Sequence, residues 1–391
     1  MQKTIIFPGV FILILGLLLI VSCSVADILT DYTVGATTTH TISSTTTATG
    51  TIATVEGVFP AGFDVSGATL GAVSGISAGT ISVVGQTVIY TVTTPVSVPS
   101  GTAISIELHS IVNPTTPGLY FISVTTRDGI GNIINGPTSA SVSIVPAAAS
   151  SIEVTGITDP VTAGTASDVT LTARDPYGNV ATSYLGTITF ISTDLQATLP
   201  ADHTFLPGDA GVKTISSELV LRTAGEQSVT ATDTIIPSIT GTQSAITVNS
   251  GIPTSFNVTT SGGGTETAGV SFDVILTALD DYGNIATGYT GTAVNINFSS
   301  TATAAPDSTL PTIPTPQTLD FSVTPGIATA TGFVLVNSSE TPMPSTPTSV
   351  TPSTTISKTV SWPIVGVITG AVVVAGLIMF IVLRTHTART E

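Results

Sequence analysis

One short polar motif occurs twice in the chain, and its residue types suit either a tight turn or a cation site. Asp-x-Tyr-Gly-Asn stands at residues 175–179 and again at 280–284, an offset of 105 residues. In a turn, the aspartate caps the backbone, the glycine supplies a positive φ and the asparagine tolerates the left-handed region. The predicted turn residues are Asp175, Gly178, Asn179, Asp280, Gly283 and Asn284.

Calcium binding is the alternative interpretation of the second copy. Asp281 adds a carboxylate beside Asp280, and Asn284 offers a further oxygen. Calcium takes about six to eight oxygen ligands, more than this motif provides. We therefore expect a turn, and we expect the protein to work without a metal or another cofactor.

Residues for catalysis are scattered rather than clustered. The four histidines are His40, His109, His203 and His386, and no HExxH, HxH or Cys/His set occurs. The chain is predicted not to be an enzyme.

Candidate sites of covalent modification are few. Three sequons, at Asn257, Asn297 and Asn337, are N-glycosylation candidates in a host that glycosylates exported proteins. The single cysteine, Cys23, ends the lipobox-like run Ile-Val-Ser-Cys and is a candidate for lipidation.

Both ends of the chain carry membrane signals. Lys3, an apolar run and Ser-Val-Ala at 24–26 predict a signal peptide over residues 1–26, with an uncleaved anchor or a lipidated Cys23 as alternatives. Residues 364–383 contain no charge and are long enough to cross a bilayer as a helix. Trp362 precedes this span, and Arg384 and Arg389 follow it, which places the C-terminus inside the cell.

The charge and composition of the region between these signals exclude one class of function. Residues 27–361 hold five basic and 23 acidic residues, a formal charge of −18. Such a surface disfavours nucleic-acid binding, because phosphate contacts need Lys and Arg. The abundance of Thr, Val, Ile and Gly, with short apolar runs between turns, predicts an all-β fold of antiparallel sandwiches.

The repeated motif lies within a longer pattern, D-x-Y-G-N-x-A-T-x-Y-x-G-T, and Thr-Ala-Gly at 162–164 recurs at 267–269 with the same offset. Residues 151–338 resemble the bacterial immunoglobulin-like repeats of large surface proteins and are distantly similar to the invasin–intimin family of Ig-like domains. This resemblance implies tandem Ig-like sandwiches on a cell surface and carries no catalytic residues. Asp-Gly-Ile-Gly-Asn at 128–132 echoes the turn motif in the first region, which resembles a different sandwich type of prokaryotic surface proteins.

These observations predict a surface-anchored protein with a structural or adhesive role. An extracellular ligand-binding module for a glycan or an envelope component is the alternative, with Tyr90 and Tyr120 as its aromatic candidates. The Gly366 and Gly370 pair would allow self-association within the membrane. The segments are a signal peptide (1–26), an N-terminal sandwich (27–147), repeat 1 (148–250), repeat 2 (251–340), a Ser/Thr/Pro-rich stalk (341–361), a transmembrane helix (362–384) and a cytoplasmic tail (385–391).

Repeat 2 is expected to be incomplete. It runs into the proline-rich stalk before the last two strand-like runs of repeat 1 have a counterpart. A sandwich without them exposes an unpaired edge, which natural sheets usually cover. The candidates for covering it are residues 356–360 or a strand from another molecule, and a smaller sheet that closes by itself is the alternative.

Overall fold

The computed structural model describes residues 24–263, 266–291, 294–298, 302, 304–305, 308–336, 369–374 and 377–383. Several predicted features lie outside these residues: most of the expected leader with Cys23, the sequon at Asn337, the stalk and the basic tail. The chain divides into two compact units, one of residues 1–150 and 173–184 and the other of residues 151–172 and 185–391. The described part is built from strands with one short 3-10 helix, which confirms the all-β class.

The first sandwich consists of three sheets, ordered β1-β2-β9-β5, β11-β10-β4-β7-β6 and β3-β8. Buried and half-buried side chains alternate along β2, so that Thr38, His40, Ile42 and Ser44 share its inward face. The two larger sheets bury Phe59, Tyr90, Ile111 and Ile122 between them. The strands are β1 (Val25–Leu29), β2 (Thr37–Thr45), β3 (Gly50–Thr51), β4 (Thr54–Val58), β5 (Thr69–Ser74), β6 (Gly79–Val84), β7 (Thr87–Val92), β8 (Ser97–Val98), β9 (Ala103–Val112), β10 (Gly118–Arg127) and β11 (Ile133–Ile144).

Strand β1 begins before the expected cleavage point. Val25 pairs with Ser44 and Ala26 pairs with Ser43 in the sheet, although both residues were assigned to the leader. The Thr45 amide also donates to the Ser24 carbonyl at 3.1 Å. Residues 24–26 therefore belong to the folded domain, because their backbone groups complete the edge of its sheet.

Repeat 1 is a second sandwich, with sheets ordered β12-β14-β17 and β13-β19-β18-β15-β16. Its core contains Leu171, Ile188, Leu219 and Ile246, all fully buried. The elements are β12 (Ser151–Thr155), β13 (Val161–Thr162), β14 (Ala166–Arg174), β15 (Thr187–Ser192), β16 (His203–Thr204), the 3-10 helix Pro207–Asp209, β17 (Val212–Val220), β18 (Gly225–Asp233) and β19 (Thr240–Asn249).

Repeat 2 reproduces the first of these sheets as β20-β21-β24. Phe272, Leu276, Phe321 and Phe333 fill its core. The strands are β20 (Ser255–Thr260), β21 (Ser271–Leu279), β22 (Val294–Asn297), β23 (Gln317–Leu319) and β24 (Ile327–Val334).

The second sheet of repeat 2 is completed from the C-terminal apolar segment. Strands β25 (Thr369–Val374) and β26 (Leu377–Leu383) form an antiparallel pair, and the sheet order is β23-β22-β26-β25. Strand β26 pairs with β22 through Ile296 and Asn297, at the edge where β15 of repeat 1 pairs with β18.

The expected helix is therefore replaced by strands at 369–374 and 377–383. The segment is rich in Val and Ile, which suit strands, and it supplies the missing partner of β22. In the part of the chain that the structure describes, no helix has the length and apolar character needed to cross a membrane. The covering strands lie further along the chain than residues 356–360, which are outside the described residues.

Candidate functional site

The motif at 175–179 forms a loop held together by its aspartate. One carboxylate oxygen of Asp175, Oδ1, accepts the backbone amides of Tyr177 and Asn179, both at 2.9 Å. The Gly178 amide donates to the Asp175 carbonyl at 3.0 Å, and the Asn179 side-chain amide donates to Asp175 Oδ2 at 3.0 Å. We call this five-residue Asp-x-x-Gly-Asn arrangement a docking loop, because it contacts the preceding domain.

The motif at 280–284 has the same internal bonds. Asp280 Oδ1 accepts the amides of Tyr282 and Asn284 at 2.9 Å, and Asp280 Oδ2 accepts the Asn284 side-chain amide at 2.9 Å. Gly178 and Gly283 have φ of 84° and 82°. The two asparagines do not adopt the left-handed conformation that this residue type tolerates. Their role lies in the side-chain amide.

The loop of repeat 1 contacts the end of the first sandwich. The Ala147 amide donates to Asp175 Oδ2 at 3.1 Å, and the Asn179 side-chain amide donates to the Thr115 carbonyl at 2.9 Å. A Cβ built on Gly35 would collide with the Tyr177 hydroxyl, so this glycine allows the tyrosine its close approach. The carboxylate, the amide and the ring of one loop thus each contact the preceding domain or the linker from it. We use linker for the residues between the last strand of one domain and the first strand of the next, 145–150 and 250–254.

The loop of repeat 2 makes the equivalent contacts with repeat 1. The Gly251 amide donates to Asp280 Oδ2 at 2.8 Å, in the place of Ala147. The Asn284 side chain donates to the Arg222 carbonyl at 2.7 Å and accepts the Ala224 amide at 2.8 Å. A Cβ on Gly164 would collide with the Tyr282 hydroxyl. The Arg222 guanidinium lies 5.7 Å from the centre of that tyrosine ring, within the range of a cation–π contact.

Each docking loop contacts a turn of one design, which we call the receiving turn. It is a Thr-x-Gly turn whose glycine has a positive φ, at residues 33–35 and 162–164. The glycine amide donates to a carbonyl of the facing segment, from Gly35 to Pro114 at 3.0 Å and from Gly164 to Leu221 at 2.8 Å. The next residue along that segment then supplies the carbonyl for the asparagine. The sequence showed the repeat of Thr-Ala-Gly at 162–164, but only the structure shows its role and its relative at 33–35.

Electrostatics favour the ionised form of both aspartates. Asp175 and Asp280 are only 3% and 4% exposed. Burial by itself raises the pKa of each carboxyl group, but hydrogen bonds outweigh it. The donors are the Asn179 or Asn284 side chain and the surrounding backbone amides, and they bring each pKa below its usual 3.8.

These bonds also bear on the calcium interpretation. Both carboxylate oxygens of Asp280 and the side-chain oxygen of Asn284 accept N–H donors, while Asp281 is exposed to solvent. N–H groups pointing at an oxygen occupy the lone pairs that a cation would need. Within the described residues, no cluster of three or more His, Cys, Asp or Glu has a geometry for metal binding.

A buried pair in the first domain was missed by the sequence analysis. His40 Nδ1 lies 2.6 Å from Asp27 Oδ2, and both side chains are fully buried. Phe59 and Phe63 pack edge-on against the imidazole. Alternation along β2 places His40 on the same face as Ile42, and this alternation was the feature of the sequence that could have predicted a buried His40. The pair holds β1 against β2 within the core.

Other candidate residues fall in ordinary structural positions. Tyr90 is 1% exposed and Tyr120 packs against Phe63, so neither presents a platform for a sugar ring. Of the sequons, Asn257 is exposed on β20, and Asn297 is half-buried on β22.

No protein-family model matches the chain, and no curated protein matches it. Among solved structures it is similar to the Escherichia coli adhesin FdeC, at 19% identity and a TM-score of 0.36 over 81% of this chain and 90% of that one. It is similar to InvD of Yersinia pseudotuberculosis, at 14% identity and a TM-score of 0.37 over 80% of this chain and 85% of that one. It is also similar to invasin, a bacterial integrin-binding protein, at 17% identity and a TM-score of 0.30 over 81% of this chain and 55% of that one.

Proposed function

We propose that the chain is a membrane-anchored surface protein with a structural or adhesive role, in which docking loops fix each sandwich to the domain before it. The observation that carries this proposal is the second use of one set of contacts. Both loops make the same three contacts. The aspartate carboxylate accepts a linker amide, the asparagine donates to a backbone carbonyl of the preceding domain, and the tyrosine lies against a glycine of that domain. A loop used twice in this way is a device for joining domains.

Such a device matters because tandem domains move relative to each other by default. Each loop adds hydrogen bonds to buried charge, which are stronger than neutral ones. The ordered joint reduces the number of orientations that neighbouring domains sample. A protein that must present its first domain at a distance from its anchor benefits from this restriction.

Export and anchoring account for the apolar segments at the two ends. In a bilayer, a single spanning segment must satisfy its backbone hydrogen bonds internally, which favours a helix over residues 364–383. The hairpin of β25 and β26 satisfies the same groups by pairing with β22 instead. We propose that the membrane selects the helix and that Arg384 and Arg389 hold its end inside the cell.

Protease treatment of intact cells tests the topology. An epitope placed after Arg389 should survive while the sandwiches are digested. Digestion of this epitope in intact cells would show that the orientation is wrong.

Attachment assays test the role. Cells that lack the protein are complemented with the full chain or with an Asn179→Ala, Asn284→Ala variant present in equal amount at the surface. We expect loss of attachment without the protein and a partial loss with the variant. Unchanged attachment in cells lacking the protein would contradict the adhesive role, and full attachment with the variant would contradict the role of the joints.

A further inference from the structure

A third docking loop lies in the first sandwich, between β10 and β11. Asp128 Oδ1 accepts the amides of Ile130 and Asn132 at 3.0 and 2.8 Å, and Asp128 Oδ2 accepts the Asn132 side-chain amide at 3.0 Å. Gly131 has φ of 92°, close to the values of Gly178 and Gly283. Arg127 donates to the Gly131 carbonyl at 3.2 Å, as Arg174 donates to that of Gly178 at 3.1 Å. The loop therefore has the conformation of the two that dock.

This third loop is more exposed than the two that dock, in which Tyr177 is 47% exposed and Tyr282 is half-buried. Ile130 stands at the position of Tyr177 and Tyr282, and it is 87% exposed. The loop follows the end of β10, whereas the receiving turn of the same domain faces the segment that precedes β10. The first sandwich thus presents a docking loop at the end opposite to its occupied receiving turn.

A third receiving turn lies in repeat 2, at residues 267–269. Gly269 has φ of 78°, and its amide donates to the Leu335 carbonyl at 2.7 Å, as that of Gly164 donates to Leu221. Val336 follows Leu335 and stands where Thr115 and Arg222 accept the docking asparagine. Gly269 is exposed, and apart from its own chain neighbours no atom of the described residues lies within 4 Å of a Cβ built on it. Repeat 2 thus presents a receiving turn that the described residues leave open.

We propose that these two surfaces bind each other between copies, so that the Asp128–Asn132 loop of one molecule docks on the Gly269 turn of a second. The partner is a second copy of this chain because each half of the contact repeats the geometry of a joint already formed within it. Loop and turn are different surfaces, so the contact is heterologous and adds molecules head to tail.

Two features set the strength of this contact. No linker connects the partners, so the high effective concentration of the internal joints is lost and the affinity is low. Both copies are acidic, with a net charge of −16, so repulsion opposes the contact and salt strengthens it by screening.

Sedimentation velocity of the full chain in detergent micelles, over a range of concentrations, tests the proposal. Ile130→Tyr restores the tyrosine of the occupied joints and should lower the dissociation constant by about 2- to 10-fold, as one aromatic contact does. Ile235→Tyr is the matched control, since Ile235 is 83% exposed on a hairpin outside the proposed contact. It should leave the dissociation constant unchanged.

Two blocked variants complete the test. Gly269→Asn fills the receiving turn with a residue that tolerates positive φ, and Ile130→Asp places a charge on the loop. Each should be monomeric alone with an unchanged unfolding midpoint, and an equimolar mixture should form dimers but no longer species. Association that persists in either variant, or a wild type and Ile130→Tyr that stay monomeric at every concentration, would overturn the proposal.

Discussion

The side-chain amide of Asn284 donates a 2.7 Å hydrogen bond to the backbone carbonyl of Arg222, while its oxygen accepts the Ala224 amide at 2.8 Å. One asparagine therefore satisfies both backbone groups that flank Thr223 in repeat 1. Its nitrogen also bonds to Asp280 at 2.9 Å, which in turn holds the linker through Gly251. A single side chain thus connects repeat 1, the linker and the loop of repeat 2.

Replacing Asn284 by Ala should destabilise the joint, because the Arg222 carbonyl and the Ala224 amide lose this partner and Asp280 Oδ2 keeps only the Gly251 amide as a donor. We expect a loss of about 2–3 kcal/mol in the free energy of unfolding, measured by denaturant titration. Asn132→Ala is the matched control, since it removes the bonds inside a loop that does not dock within the chain. Its expected cost is about 1 kcal/mol. Equal losses in the two variants would show that docking contributes nothing.

Acid should weaken the joint of repeat 2. Burial raises the pKa of Asp280. Hydrogen bonds from the Asn284 side chain and from the Gly251, Asn284 and Tyr282 amides lower it by more, so the pKa lies below its usual 3.8. A pKa depressed by folding adds stability that is present above the unfolded value and lost as the pH falls through the folded one. Unfolding free energies between about pH 5 and pH 2 should therefore fall more steeply for wild type than for Asp280→Asn. Asp281→Asn controls for the loss of one charge, and parallel curves for all three proteins would refute this linkage.

Two glycines allow the steric part of docking to be isolated. Gly164 and Gly269 have φ of 82° and 78°, so an alanine at either position carries the same backbone strain. Only at Gly164 would the new methyl group collide with a docked tyrosine, Tyr282. Thermal unfolding should show Gly164→Ala to be less stable than Gly269→Ala by about 1–3 kcal/mol. Tyr282→Ala should remove this difference, and a difference that survives it would mean that the clash has another source.

The fold was predictable because its signals are local. Alternation along β9, as at Ile104, Ile106 and Leu108, marked a strand, and turn residues separated it from the next. The 105-residue offset likewise showed that repeat 2 copies repeat 1. The C-terminal segment has strands where the sequence predicted a helix. An uncharged run rich in Val and Ile suits either structure, and its composition does not show that β22 is available as a pairing partner.

The docking role was not predictable in the same way. The sequence singled out Asp175 and Asp280, yet their partners are backbone groups of Ala147 and Gly251, whose positions no residue type encodes. The sequence indicated only that the asparagines tolerate left-handed backbone, which is their common use in turns. Only the fold shows that their side chains face the preceding domain.

The mature protein should retain residues 24–26. The Ser24 carbonyl and the pairs of Val25 and Ala26 with β2 form the edge of the first sheet, and cleavage before Asp27 would remove them. Such cleavage would also place the buried Asp27, the partner of His40, at a chain terminus. Intact mass spectrometry of protein purified from membranes should therefore give a mass that includes residues 24–26, and a lipid on Cys23 would appear as added mass. A mature chain that begins at Asp27 would contradict the assignment of β1.

Amide hydrogen exchange at Ala224 and Gly251 tests the central claim most directly. These backbone amides donate to the Asn284 and Asp280 side chains of the docking loop and to no strand of repeat 1. If the loop holds the two repeats together, both amides exchange at least about tenfold more slowly than an unprotected amide of the same sequence, and Asn284→Ala removes the protection at Ala224. Exchange of both amides at the unprotected rate in the wild-type protein would contradict the account.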